Sequence, residues 1–192
     1  YDGRQASVTY PFEAIGWTGL LVEPGPAAYE ACKRHRPNST VVNAAVSKKN
    51  STGFIDFVEV KSPTQAHSGT RSHITTAATP KRIPGEDKLV RTKVPLTTMD
   101  EAVKFHPGRI DFAVIDVEGH EPELFDGFDL ERLRPRALLV EEYPLGSRPE
   151  LFSMLKSRGY EPVGTIGWNR ILVHRDETEL MQRAKLLQLD MD

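Results

Sequence analysis

Four ionisable residues crowd the end of a short apolar run in Asp111–Glu121, which reads DFAVIDVEGHE: Asp116, Glu118, His120 and Glu121. An imidazole titrates near neutrality and can take a proton from a hydroxyl, and a neighbouring carboxylate can orient the ring. His120 is therefore the candidate general base, Glu118 the residue that could orient it, and Asp116 an acid placed at the reacting centre. The alternative is structural: Asp or Glu near a helix start caps it and complements its dipole, and a histidine there can simply bond a neighbouring carboxylate.

Two other apolar runs also end in acids. Gly19–Glu23 (GLLVE) stops at Pro24, Gly25 and Pro26, and Leu138–Glu142 (LLVEE) stops at Tyr143 and Pro144. In open α/β sheets ligands bind at the carboxyl ends of the strands. An ionised carboxylate there accepts two hydrogen bonds, which suits the vicinal hydroxyls of a ribose, so Glu23 is a candidate for a nucleotide-type cofactor. Taken alone it could equally be a surface acid before a turn. Asp116 with Glu141 or Glu142 offers hard oxygen ligands for Mg²⁺ or Ca²⁺, and such a metal would lower the pKa of a bound hydroxyl. Strand alternation sends Glu141 and Glu142 to opposite faces, so at most one of them, written here as Glu141, joins Asp116.

The elements that must position these groups alternate along the chain. Phe112–Ile115 has the continuous apolar character of a strand covered on both faces. Helices are expected at Ala27–Arg36, Thr98–Phe105 (capped by Thr97 or Thr98), around Pro122–Phe125, at Pro149–Arg158 and at Glu177–Leu189. Strands are expected at Thr40–Val46, Phe54–Val60, Leu89–Val94, Arg136–Glu142 and Tyr160–Ile166, with Asn169–His174 returning antiparallel through Gly167. Residues 61–88 are polar, without apolar period, and read as a long loop or lid. His67, His73, Arg71, Lys81 and Arg82 could close it over an acceptor, although a solvated loop explains them as well. Strands alternating with helices argue a doubly wound, mostly parallel α/β sheet with a closing antiparallel hairpin.

A chain of 192 residues can bury one good core, and neither repeats nor a second domain are evident. Its net charge of −2 provides no basic field for nucleic acid. No apolar run is long enough to span a membrane, and no signal-peptide pattern opens the chain. The lone Cys32 favours a reducing compartment, so a cytoplasmic location is expected. Trp17 and Trp168 read as packing groups, although Trp168 at a hairpin tip could border an acceptor, as could Tyr143.

The runs GWTGLLVEPGPAAYEACKRHRP, VVNAAVS, VPLTTMDE, IDFAVIDVEGHEPELFDGFD and LRPRALLVEEYP together resemble the FkbM family of S-adenosylmethionine-dependent methyltransferases, over roughly Phe12–Tyr143. The resemblance implies a class I, Rossmann-like methyltransferase fold and O-methylation of a hydroxyl on a sugar or small natural product. It implies that Glu23 accepts from the cofactor ribose, that Asn43, Ala44 and Ala45 line the adenine, and that Asp116 lies where sulfonium and acceptor meet. It also implies a first strand and glycine-rich turn, of which Tyr1, Asp2 and Gly3 resemble only the end. Upstream residues are therefore expected in the native protein, and Asp2 and Gly3 are candidate cofactor contacts. Two other readings stay open. One is a non-catalytic binding or scaffold domain of the same fold. The other is an NAD-linked oxidoreductase, which would need a G-x-G-x-x-G turn that these residues do not show.

Overall fold

The computed structural model of the chain describes residues 2–5, 7–61, 72–74, 88–142 and 144–187. They form two compact units, 1–107 with 118–128 and 108–117 with 129–192. The chain leaves the second unit for the first between Val117 and Glu118, inside the acid-rich turn.

The first unit opens with a short helix, α1 (Tyr10–Ala14), then β1 (Leu20–Val22), α2 (Pro26–His35) and β2 (Thr40–Val42). Strands β1 and β2 pair in parallel, Leu20 opposite Thr40 and Val22 opposite Val42. Pro26 opens α2 with its φ already suited to a helix, and Lys33 and Arg34 close it with positive charge facing the dipole. A second sheet contains β3 (Ala45–Val46), β4 (Phe54–Lys61), β5 (His73–Ile74) and β6 (Lys88–Thr97), in the order β3-β6-β4-β5. Ala45, Phe57 and Val94 form its core, with Ile55, Ile74 and Leu96 packed against them. The helix α3 (Met99–Ala102) follows, Thr98 accepting from the Glu101 N–H as its cap at 3.2 Å, and a 3₁₀ turn completes Val103–Phe105. The helix α4 (Glu121–Asp126) completes this unit.

The second unit carries β7 (Phe112–Ile115), α5 (Leu130–Leu133), β8 (Ala137–Glu141), α6 (Pro149–Ser157), β9 (Tyr160–Ile166), β10 (Asn169–His174) and α7 (Thr178–Leu186). Its sheet runs β7-β8-β10-β9. Strands β7 and β8 are parallel, while β10 is antiparallel to both β8 and β9. Leu138, Val140, Leu155, Tyr160 and Leu172 are buried at its centre. The Tyr160 hydroxyl donates to the Pro135 carbonyl at 2.8 Å, and burial pushes its pKa up.

The expected order of elements is present, and among the described residues the strands form small, mixed sheets. Among the described residues three strand pairings are parallel and four are antiparallel. The excess comes from β4, whose alternating pattern suits a half-exposed strand and which pairs antiparallel with both β5 and β6. The single strand expected over Thr40–Val46 is two. Its break falls at Asn43 and Ala44, where the Asn43 amide turns aside to donate to the carbonyls of Glu23 and Pro24. The helices α1 and α5 are too short to show an apolar period, and β5 lies inside the segment read as a loop. The rest of that loop, residues 62–71 and 75–87 with His67, Arg71, Lys81 and Arg82, is outside the described residues, as is Tyr143.

A buried ion pair ties α1 to the end of α2. Arg36, 3% exposed, donates through Nε to Glu13, and through Nη1 to the Gly3 carbonyl at 3.2 Å and Thr9 Oγ1 at 2.9 Å. Glu13 also accepts from the Asn38 N–H at 2.8 Å and the Ser39 hydroxyl at 2.7 Å. Burial alone would raise the Glu13 pKa, but the bonds from Arg36, Ser39 and Asn38 outweigh it and hold the carboxyl below its ordinary value of 4.5. A depressed folded-state pKa stabilises the fold above the unfolded value and loses that contribution as pH falls through the folded one. Glu13→Ala strands a buried guanidinium and should cost about 3 kcal/mol at pH 7 in urea denaturation. The gap between wild type and variant should narrow as the pH is taken below 4.5.

Candidate functional site

In the first unit the site begins where β1 and β2 end together. The Glu23 N–H continues the parallel ladder by donating to the Val42 carbonyl at 3.0 Å. This sets Glu23 beside Asn43 at the same end of the pair. Glu23 Oε1 then accepts from the Gly25 N–H at 2.9 Å, which turns its carboxylate over the start of α2. Asn43 Nδ2 donates at 2.9 Å to the Glu23 carbonyl and at 3.0 Å to the Pro24 carbonyl, pinning the turn from the other side. Gly25 matters through space rather than through φ. A Cβ there would lie 2.9 Å from Glu59 Oε1 and 3.1 Å from Glu23 Oε1. The result is a buried glycine backbone flanked by two carboxylates.

The other expected cofactor residues are dispersed. Ala44 and Ala45 are buried, and Ala45 belongs to the β3–β6 core. Asp2 and Gly3 lie at the far end of α2: the Asp2 carbonyl bonds His35 Nδ1 at 2.9 Å and the Gly3 carbonyl bonds Arg36. Ten residues of helix at 1.5 Å each separate that end from Gly25, so the structure does not bring Asp2 and Gly3 to Glu23. Cys32 is buried, and burial pushes its thiol up to about 11, which keeps it protonated and without nucleophilic character.

The acid-rich turn is tightly built. Glu118 has φ +52° and Gly119 φ +99°, two successive left-handed residues. For Glu118 that conformation costs on the order of 1 kcal/mol, a strain of the kind that collects at functional turns. His120, at the start of α4, directs Nε2 to Ser47 Oγ at 2.9 Å, while Nδ1 lies 3.6 Å from Glu123 Oε2. Glu123, one helical turn on, thus sets a carboxylate beside the ring, a residue the sequence did not single out. Ser47 is a second partner that the sequence did not single out, although it lies in the VVNAAVS run. Glu121 is fully buried and accepts from the Gly119 N–H at 3.2 Å, so it acts in closing the turn.

Close backbone approach holds the end of α4 against α3 and the residues after β3. The Asp100 N–H donates to the Gly127 carbonyl at 3.2 Å and the Lys49 N–H to Asp126 Oδ2 at 3.2 Å. A Cβ on Gly127 would stand 2.1 Å from the Ser47 carbonyl oxygen.

In the second unit, Asp116 and Glu141 follow or end the paired strands β7 and β8, whose register sets Ile115 opposite Val140. Asp116 is exposed and Glu141 half-buried. Glu142 is committed elsewhere. At 1% exposure its Oε2 receives Arg170 Nε at 2.9 Å and Nη2 at 2.6 Å, and its Oε1 receives the Arg148 N–H at 3.2 Å. The Arg170 guanidinium lies 4.6 Å from the Phe152 ring centre. The Glu142 N–H donates to the Trp168 carbonyl at 2.8 Å, which fixes the β9–β10 tip at this end of the sheet. Trp168 and Trp17 are both exposed, and Trp17 meets Phe12 edge-on at 5.4 Å. No group of three or more His, Cys, Asp or Glu that could hold a metal ion occurs among the described residues. Mg²⁺ at Asp116 and Glu141 is therefore not supported.

Residues 1–162 match the family described as Methyltransferase FkbM domain, and the chain belongs to this family. No curated protein and no solved structure matches it. Among the described residues no helix is long and apolar enough to cross a membrane.

The Gly127 contact makes a direct prediction. Gly127→Ala should destabilise the protein by about 1–3 kcal/mol, the range for overpacking a well-packed site, because the obstacle is a backbone carbonyl and not a movable side chain. Thermal unfolding of wild type and variant measures it, and an unchanged midpoint would show that the α4 contact is not required.

Proposed function

We propose that the chain is an S-adenosylmethionine-dependent methyltransferase that methylates a hydroxyl oxygen on a small acceptor such as a sugar. The observation carrying this reading is the joint placement of Glu23 and Asn43 at the carboxyl ends of the parallel β1–β2 pair, in a chain of the FkbM methyltransferase family. The donor set there fits the nucleoside half of the cofactor: a carboxylate for the ribose hydroxyls, with an amide nearby. In this reading both compact units belong to one Rossmann-like, doubly wound methyltransferase domain, and the cytoplasm is its location, where Cys32 stays reduced.

When bound, S-adenosylmethionine supplies an electrophilic methyl group on a sulfonium. The chain binds, orients and moves a proton. Glu23 accepts from the ribose hydroxyls, and Asn43 borders the adenine. His120 is the candidate base and would take the hydroxyl proton at Nε2, the atom that faces Ser47. Glu123 supports the ring at Nδ1, and Glu118 shapes the turn that presents it.

Calorimetric titration with S-adenosylhomocysteine tests the reading. Micromolar binding is expected, and Glu23→Ala should weaken it about tenfold, worth roughly 1.4 kcal/mol. A folded protein that binds no S-adenosylhomocysteine would sink the methyltransferase reading and favour a non-catalytic domain of the same family.

A further inference from the structure

Glu59 lies on β4, a strand that belongs to a different sheet from β1 and carries none of the roles above. Its side chain is half-buried, and its carboxylate has no hydrogen-bond or ion-pair partner among the described residues. It nevertheless reaches the start of α2. Glu59 Oε1 stands 2.9 Å from the position of a Cβ on Gly25, and Glu23 Oε1 stands 3.1 Å from the same point. Two carboxylate oxygens thus converge over one glycine. Like charges held this way repel, so the arrangement favours an occupant that brings hydrogen-bond donors to both.

A vicinal diol meets that demand. It is neutral, so it can enter without a counter-ion, and its two hydroxyls each offer a proton to an acceptor on either side. We propose that Glu59 is a second acceptor for the ribose diol of the nucleoside cofactor, paired with Glu23 across Gly25. The inference rests on the methyltransferase reading, and it assigns to β4 a part in cofactor binding. Gly25 then has a reason of its own: its φ of −66° suits any residue, but a side chain there would occupy the space between the two carboxylates.

The test is titration of S-adenosylhomocysteine into wild type, Glu59→Gln and Gly25→Ala, with adenosine and 3′-deoxyadenosine as a second pair of ligands. Glu59→Gln keeps the size and loses the charge, and should raise the Kd for S-adenosylhomocysteine about tenfold. It should also shrink the preference for adenosine over 3′-deoxyadenosine, which a purely structural change would leave intact. Gly25→Ala should weaken binding at least as much, because both carboxylates must move. If Glu59→Gln fails to fold, Glu59→Asp retains the charge and shortens the reach, and the same weakening is expected. Wild-type binding with all folded variants unchanged would overturn the role of Glu59 alone, whereas absence of wild-type binding would sink the methyltransferase reading. Mg²⁺ titrated in the absence of nucleoside should give no heat. Binding heat that Glu59→Gln abolishes would overturn the diol and assign the pair to a cation.

Discussion

The parallel pairing of β1 with β2 is the constraint on which the candidate cofactor site depends. A parallel ladder lets two strands end side by side, and the bond from the Glu23 N–H to the Val42 carbonyl extends it one residue past the last strand position. A slip of one residue would turn Glu23 to the opposite face and move Asn43 away from it. The Asn43 amide then bonds two successive carbonyls of the turn, so the end of β2 holds the chain leaving β1. Side-chain placement here follows from backbone hydrogen bonds, which are far more directional than packing.

Environment sorts the many acids of this chain into different work. Glu13, Glu121 and Glu142 are buried, and each has hydrogen-bond donors directed at it. A buried carboxylate survives only when so surrounded, and such groups tie elements together. Asp116, Glu23, Glu59 and Glu141 retain contact with solvent at or near strand ends and the α2 start, where a ligand can approach. Glu141 and Glu142 show the division most sharply. They are neighbours in sequence, yet alternation points one toward the Arg170 clamp and the other away from it.

His120 illustrates a subtler sorting. Both ring nitrogens face partners, Ser47 at one side and Glu123 at the other, and the ring is largely shielded. Such a histidine is well oriented, which serves a base and a structural bridge alike. The strained turn at Glu118 and Gly119 delivers it there, and the bare backbone of Gly127 lets α4 sit close enough for Ser47 to reach it.

Much of this was legible in the sequence, and for a physical reason. Apolar runs ending in acids, proline at helix starts and alternation along strands are local properties, so β7, β8, β9, β10, α2 and α6 stand close to where pattern places them. The family was readable for the same reason, since its motifs are contiguous runs. Contacts between distant segments carry no local signature. Only the tertiary structure decided that β4 reaches Gly25 through Glu59, that Asp2 and Gly3 lie at the far end of α2 from Gly25, that Glu123 sets a carboxylate beside His120, and that Arg170 claims Glu142. The antiparallel surplus belongs with these, because a strand's pattern reports which faces are buried but not which neighbour it pairs with.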